Sequence, residues 1–197
     1  DFNSHQVQGA LPVDVYVAAL LGDLACDAPH ARGRPIDSVF FGGGTPSLFS
    51  PDAIARIIDG VDALLPLARD AEISMEANPG TIEHGRFAAY RAAGINRVSF
   101  GVQSFDDAAL ARIGRIHDAA QARRAVVEAQ DAGLDNLNID LMYALPGQHV
   151  DGALHDVHGA VALAPAHVSH YQLTLEPNTL FAAQPPQLPD DDEAWAM

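Results

Sequence analysis

Short strand-like runs, each carrying one polar face, alternate with helix-like segments along this chain, and that pattern leaves few folds open. The first run, Ser38 to Phe41, stops at Gly42-Gly43-Gly44 and is followed by Ser50-Pro51-Asp52, a good helix start. Glu72 to Ala77, Arg97 to Gln103, Leu137 to Met142 and Val168 to Leu175 read as the later strands. Apolar spacing predicts helices over Val13 to Leu24, near Glu83 to Ala93, from Asp106 to about Ile113, from Ala119 to Ala132 and from Asp151 to Leu163. Strict alternation of this kind requires right-handed parallel crossovers, in either a doubly wound sheet or a barrel.

Side-chain parity chooses between the two. Helices cover both faces of a doubly wound sheet, so its inner strands are apolar on both sides. Here Glu72, Ser74 and Glu76 oppose Ile73 and Met75, and Arg97, Ser99 and Gln103 oppose Val98, Phe100 and Val102. Asn136, Asn138 and Asp140 likewise oppose Leu137, Ile139 and Leu141. In the last strand His170, Gln172 and Thr174 read as the polar face against Val168, Leu173 and, less cleanly, Tyr171. A curved sheet with helices outside and a polar, ligand-filled lumen avoids burying unpaired polar groups in a dry core. The expected fold is an α/β partial open barrel. Barrel chemistry sits at the carboxyl ends of strands, where Gly43, Glu76, Gln103 and Asp140 fall.

Composition narrows the partners. Acidic residues outnumber basic ones by 26 to 11, a formal charge of −15, so a phosphate backbone is repelled and nucleic acid is not expected. Cys26 is the only cysteine, which excludes an internal disulfide and points to a reducing, cytoplasmic setting. No apolar run approaches the roughly 20 residues of a membrane-spanning helix. The Pro- and Asp-rich stretch from Gln184 to Asp192 reads as a loop leading into a final helix, which divides the chain into a barrel core over 1–183 and the start of a further region over 184–197.

Gly42-Gly43-Gly44-Thr45-Pro46 at a strand end is the sharpest local signal, because successive glycines let backbone approach a ligand and expose its N–H and C=O groups. Taken alone it is equally a tight turn or an anion loop, although no Lys follows as a P-loop requires.

With its neighbours it becomes specific. Gly42-Gly43-Gly44-Thr45-Pro46-Ser47, Met75-Glu76-Ala77-Asn78-Pro79-Gly80, Gly101-Val102-Gln103-Ser104-Phe105, Ile113-Gly114-Arg115-Ile116-His117 and Asp140-Leu141-Met142-Tyr143-Ala144-Leu145-Pro146-Gly147 occur in that order. The set resembles the radical S-adenosylmethionine (SAM) family that groups HemW-type heme chaperones with oxygen-independent coproporphyrinogen III oxidases. Tyr171 to Thr179 looks like that family's sixth strand and following loop. The resemblance implies a (β/α)6 radical SAM barrel whose first strand and cluster loop are missing from this sequence. It implies that Gly43, Gly44 and Thr45 receive the methionine amino group of SAM and that Glu76 accepts from the same end of the cofactor or from its ribose. Gln103 and Asp140 would hold ribose hydroxyls, and Arg115 would pair with the SAM carboxylate. Structural alternatives are an ion pair between Glu76 and Arg115 and, for Asp140, capping of the loop that follows.

The family's [4Fe–4S] cluster needs three closely spaced cysteines, which this sequence lacks. Asp1-Phe2-Asn3-Ser4-His5 resembles the stretch just after that triplet. Phe2 stands where the oxidases carry a further cysteine, which favours a HemW-like protein: heme as ligand, client proteins as recipients, and SAM with the cluster as cofactors of the longer form. The segment itself is expected to be inactive, with no catalytic or metal-ligating residue assigned. An oxidase that decarboxylates coproporphyrinogen III is the second reading, and a non-redox phosphate- or sugar-binding barrel the third.

Histidines add little. His155 with His158, and His167 with His170, lack a recognisable zinc arrangement. His170 is expected on the lumen face as a heme or substrate contact, His5 and His117 in exposed loops near the mouth, and Cys26 as a small buried residue.

Overall fold

The computed structural model describes residue 9 and residues 11–80 and 85–197. Five parallel strands, β1 (Ile36–Phe41), β2 (Leu67–Ala77), β3 (Arg97–Gln103), β4 (Asn136–Tyr143) and β5 (His167–Gln172), lie in the order of the chain. A doubly wound sheet reverses strand order at a switch point. This sheet never does, so it winds one way as a curled half-barrel.

Helices α1 (Val13–Asp27), α2 (Pro51–Leu64), α3 (Arg86–Ala92), α4 (Asp107–Arg112), α5 (Ala119–Asp131) and α6 (Val150–Val161) precede or link the strands, and α7 (Leu180–Ala183) and α8 (Asp191–Ala196) follow. Several starts are chemically marked. Ser50 caps α2, Asp106 caps α4, and Asp118 with Gln121 forms a reciprocal capping box on α5. Thr179 caps the short α7, which the apolar spacing does not predict. Glu83, expected in the third helix, lies outside the described residues.

The alternation read from the sequence is the layer structure of the fold. Met75, Val98, Phe100, Leu137, Ile139 and Leu141 are fully buried on the helix side, against Ile54, Phe87, Tyr90 and Val126. Tyr90 also reaches across to donate to the carbonyls of Ser47 and Phe49, tying α3 to the loop after β1.

Three expectations need correction. The second strand starts at Leu67, not Glu72; a bulge lets Ile36 pair with Leu67 while Ser38 pairs with Glu72, so its first residues do not alternate. The last strand ends at Gln172, and its parity is the reverse of that inferred. Ser169 pairs with Asp140 and Tyr171 with Met142, which puts Ser169 and Tyr171 in the lumen; His170 pairs with Leu141 and faces the helices, its ring 4.8 Å from that of Tyr143. Finally, Cys26 is exposed. The seam of α1 that meets α2 centres on Val17, and nine residues further on is two and a half turns away, on the opposite side.

Candidate functional site

The lumen is filled from its floor upward by polar groups that satisfy one another. At the bottom, Arg97 lies 3.9 Å from Glu72, which also accepts from the Ser74 hydroxyl. One layer higher, Asn138 Nδ2 donates to Ser99 Oγ and to Asp140 Oδ1, both at 2.8 Å, and its Oδ1 accepts from Ser169. Ser99 in turn donates to Asp140 Oδ2 at 2.8 Å. Each oxygen of Asp140 thus holds one donor from below and keeps acceptor capacity for a group arriving from above. These bonds come from Asn138 on the same strand and Ser99 on β3, and not from the loop after β4 that the capping alternative needs.

The tips of β1 and β2 meet next to it. Gly43 and Gly44 have φ of 76° and 59°, a left-handed backbone that glycine alone adopts without penalty. Gly43 N–H donates to Glu76 Oε2 at 3.3 Å. A carboxylate at this N–H is a repulsive neighbour for a phosphate, which weighs against the anion-loop reading. Thr45 follows at the start of a short turn, its carbonyl accepting from Leu48 N–H. On the lumen side of β1 the Phe40 ring is 58% exposed and lies against Gly42, where a Cβ would come within 2.8 Å of it.

Across the mouth, Gln103 ends β3 with φ 69° and is 3% exposed. Such a conformation is uncommon for a residue with a Cβ and persists only where its surroundings hold it. Asp156 on α6 does much of the holding. Its buried carboxylate accepts from Ser104 Oγ at 2.8 Å, from Phe105 N–H at 2.6 Å and from Gln148 Nε2 at 3.2 Å, pinning the turn just beyond Gln103. Burial raises the Asp156 pKa, and the Phe105 and Ser104 bonds oppose that rise. Nothing in the sequence singles out Asp156, which reads there as an ordinary helix acid.

Arg115 sits in the loop after α4, partly buried. Burial lowers its pKa, while Tyr171 and Asp140 favour the charge, which places the guanidinium within their field. No Glu76–Arg115 ion pair forms among the described residues. Tyr171, misplaced by the parity reading, stands at the centre of the group: its hydroxyl donates to Gln103 Oε1 at 2.7 Å. Burial and then Asp140 raise its pKa, with a smaller push from Glu76, while the Gln103 bond and Arg115 oppose the rise. The phenol therefore stays protonated. Of the residues expected at the site, Gly43 donates to Glu76 and Gln103 accepts from Tyr171, which lies in the field of Asp140, Arg115 and Glu76, while Gly44 and Thr45 follow Gly43 in the loop after β1.

His117 is not an exposed loop residue: it is 3% exposed, and Nε2 lies 3.0 Å from the Val102 carbonyl at the β3 bulge, which also accepts from Ser104 N–H. Burial, the largest cause, lowers its pKa. Nδ1 then carries the lone pair and has no partner. Phe2 and His5 lie outside the described residues. Among those residues no three His, Cys, Asp or Glu side chains gather as a metal-ligand set, and no helix is long and apolar enough to cross a membrane.

The fit to an adenosylated amino acid is good on the chemistry of these donors and acceptors: carbonyls and a hydroxyl at a bare glycine turn, a carboxylate with reserved capacity, and a guanidinium opposite. The fit to a [4Fe–4S] cluster is absent, because the one cysteine is on α1, outside this mouth.

Comparison with known proteins agrees with this geometry. Residues 25–157 match the model of the radical SAM superfamily. The heme chaperone HemW of Escherichia coli is 54% identical over 195 residues, which is 99% of this chain and 52% of that protein. The mitochondrial radical S-adenosyl methionine domain-containing protein 1 of Bos taurus is 43% identical over 83% of this chain and 37% of its own length. Among solved structures, the coproporphyrinogen III oxidase of Escherichia coli, a radical SAM enzyme, superimposes with a TM-score of 0.82 at 28% identity, covering 93% of this chain and 43% of that one. The chain spans about half the length of the curated heme chaperone it matches.

Proposed function

This chain belongs to the radical SAM superfamily, and from that premise we propose that it is the barrel part of a heme chaperone-like protein. In this reading the strand tips hold SAM, a [4Fe–4S] cluster sits on cysteines outside this chain, and heme is bound and passed to client proteins. The observation that carries the reading is the single mouth shared by Gly43, Glu76, Gln103, Arg115 and Asp140, residues far apart in sequence, in a chain 54% identical to a heme chaperone. Backbone at Gly43 and Gly44, with Thr45, would take the methionine ammonium, and Glu76 would accept from the same end. Asp140 and Gln103 would hold the ribose, and Arg115 would meet the carboxylate through its fork of donors. The cluster, when present, supplies the electron that radical SAM chemistry needs; the residues of this chain bind and orient the nucleoside. The net charge of −15 argues against nucleic acid as a client, and the lone cysteine suits a reducing compartment.

A second reading, oxidative decarboxylation of coproporphyrinogen III, is favoured by the 0.82 superposition on the oxidase. Heme titration of the full-length protein beside an anaerobic coproporphyrinogen assay separates the two. Heme binding without protoporphyrinogen formation supports the chaperone; product formation supports the oxidase.

A further inference from the structure

We infer that Tyr171 is a positioning residue of the mouth: it fixes the carboxamide of Gln103 so that the amide hydrogens, not the carbonyl, open on the space beside Asp140. The inference rests on the nucleoside-binding reading above and specifies how a ribose is read.

In the structure the carbonyl end of the amide is the end in use. Tyr171 donates to Gln103 Oε1 at 2.7 Å, so the carbonyl is engaged and Nε2 keeps its two hydrogens. A phenol that stays protonated has a hydrogen to give. Parity places the partners correctly, because Tyr171 pairs with Met142 and so shares the lumen with Asp140.

Gly101 provides an independent observation. Its backbone is not left-handed, so local conformation does not demand glycine there. The amide above it disfavours a side chain there: a Cβ at Gly101 would lie 3.1 Å from Gln103 Nε2, which would have to shift. The chain thus keeps a bare Cα where the amide nitrogen folds back over the lumen, on the strand next to Asp140.

A donor beside an acceptor has a chemical consequence. Asp140 can only accept, with two of its lone pairs already filled by Asn138 and Ser99. Were Gln103 to show its carbonyl, a vicinal diol would meet two acceptors and could only donate to both. With the amide turned as Tyr171 turns it, one hydroxyl donates to Asp140 while the other accepts from Gln103. The pair then distinguishes a ribose from a deoxyribose, because removing either hydroxyl strands a polar group of the protein.

Calorimetry with S-adenosylhomocysteine and its 2′-deoxy and 3′-deoxy analogues tests this on the wild-type chain, Tyr171→Phe and Gly101→Ala. The wild type is expected to lose about tenfold in affinity when either hydroxyl is missing. Both variants should bring the three ligands within about threefold of one another. Unchanged discrimination in Tyr171→Phe, or an equal fall for all three ligands, overturns the inference, the second because it is what a merely structural tyrosine gives. Side-chain 15N relaxation of Gln103 in the free protein supplies the second readout: rigid in the wild type and mobile in both variants supports positioning, and equal mobility in all three refutes it. If the wild type binds none of the nucleosides, the proposed cofactor site falls, and the relaxation measurement still decides what Tyr171 does.

Discussion

The two faces of the same sheet are built on opposite principles. Toward the helices, Met75, Val98, Phe100, Leu137, Ile139 and Leu141 form a dry contact in which every group is complete without a ligand. Toward the lumen, Ser74, Ser99 and Asn138 are just as buried, but they are satisfied by a ladder of hydrogen bonds that ends in groups with capacity to spare. The difference assigns stability to one face and recognition to the other, although both are carried by the same strands in alternation.

Substitutions break the comparison most forcefully when they are matched across the sheet. Phe100→Ala should destabilise the fold by about 3–5 kcal/mol, the usual cost of emptying a buried aromatic site, whereas Ser99→Ala on the preceding residue should cost about 1 kcal/mol. Urea denaturation measures both, and equal losses would erase the distinction. The two carboxylates offer a sharper pair. Asp156→Ala leaves the Ser104 hydroxyl, the Phe105 N–H and the Gln148 amide without their acceptor and should cost roughly 2–4 kcal/mol. Asp140→Asn, which keeps an acceptor oxygen for the Ser99 and Asn138 donors, should change stability by less than about 1 kcal/mol while abolishing nucleoside binding. At the mouth alone, Arg115→Ala should weaken S-adenosylhomocysteine binding about tenfold with the melting temperature unchanged; full affinity would remove Arg115 from the site.

The smallest effect is on pH. Burial lowers the pKa of both His117 and His170 in the folded protein, so the unfolded chain takes up more protons once pH falls below the ordinary histidine value of about 6.5. Stability should therefore decline as pH drops from about 6.5 toward the folded-state values and be flat above it. His117→Gln, which keeps a donor for the Val102 carbonyl, should flatten part of that slope; an unaltered slope would show that His117 is not held neutral.

Much of this architecture is legible in the amino-acid sequence, for reasons that lie in particular residues. Central strands paired on both sides obey their alternation, so periodicity puts Glu76 and Asp140 on one polar face, whereas Gln103 lies past the β3 bulge and only its bond to Tyr171 brings it to the mouth. The edge strand is not legible in the same way. Val168, Ser169, His170 and Tyr171 are all partly or fully exposed, so no buried set marks one face, and only pairing with β4 reveals that Tyr171 points inward. Asp156 is hidden because a helix acid is usually solvated, and its partners Ser104 and Phe105 are about 50 residues away in sequence. The early part of β2 is obscured by its bulge, where Arg69 and Asp70 interrupt the expected period.

Chemical-shift mapping of the chain titrated with S-adenosylhomocysteine tests the central claim most directly. Perturbations confined to Gly43, Gly44, Glu76, Gln103, Arg115, Asp140 and Tyr171 are the expected result. Perturbations at the opposite end of the sheet, in the groove formed by Arg91, Gly94, Gly133 and Asp135, or none at the mouth, would contradict it.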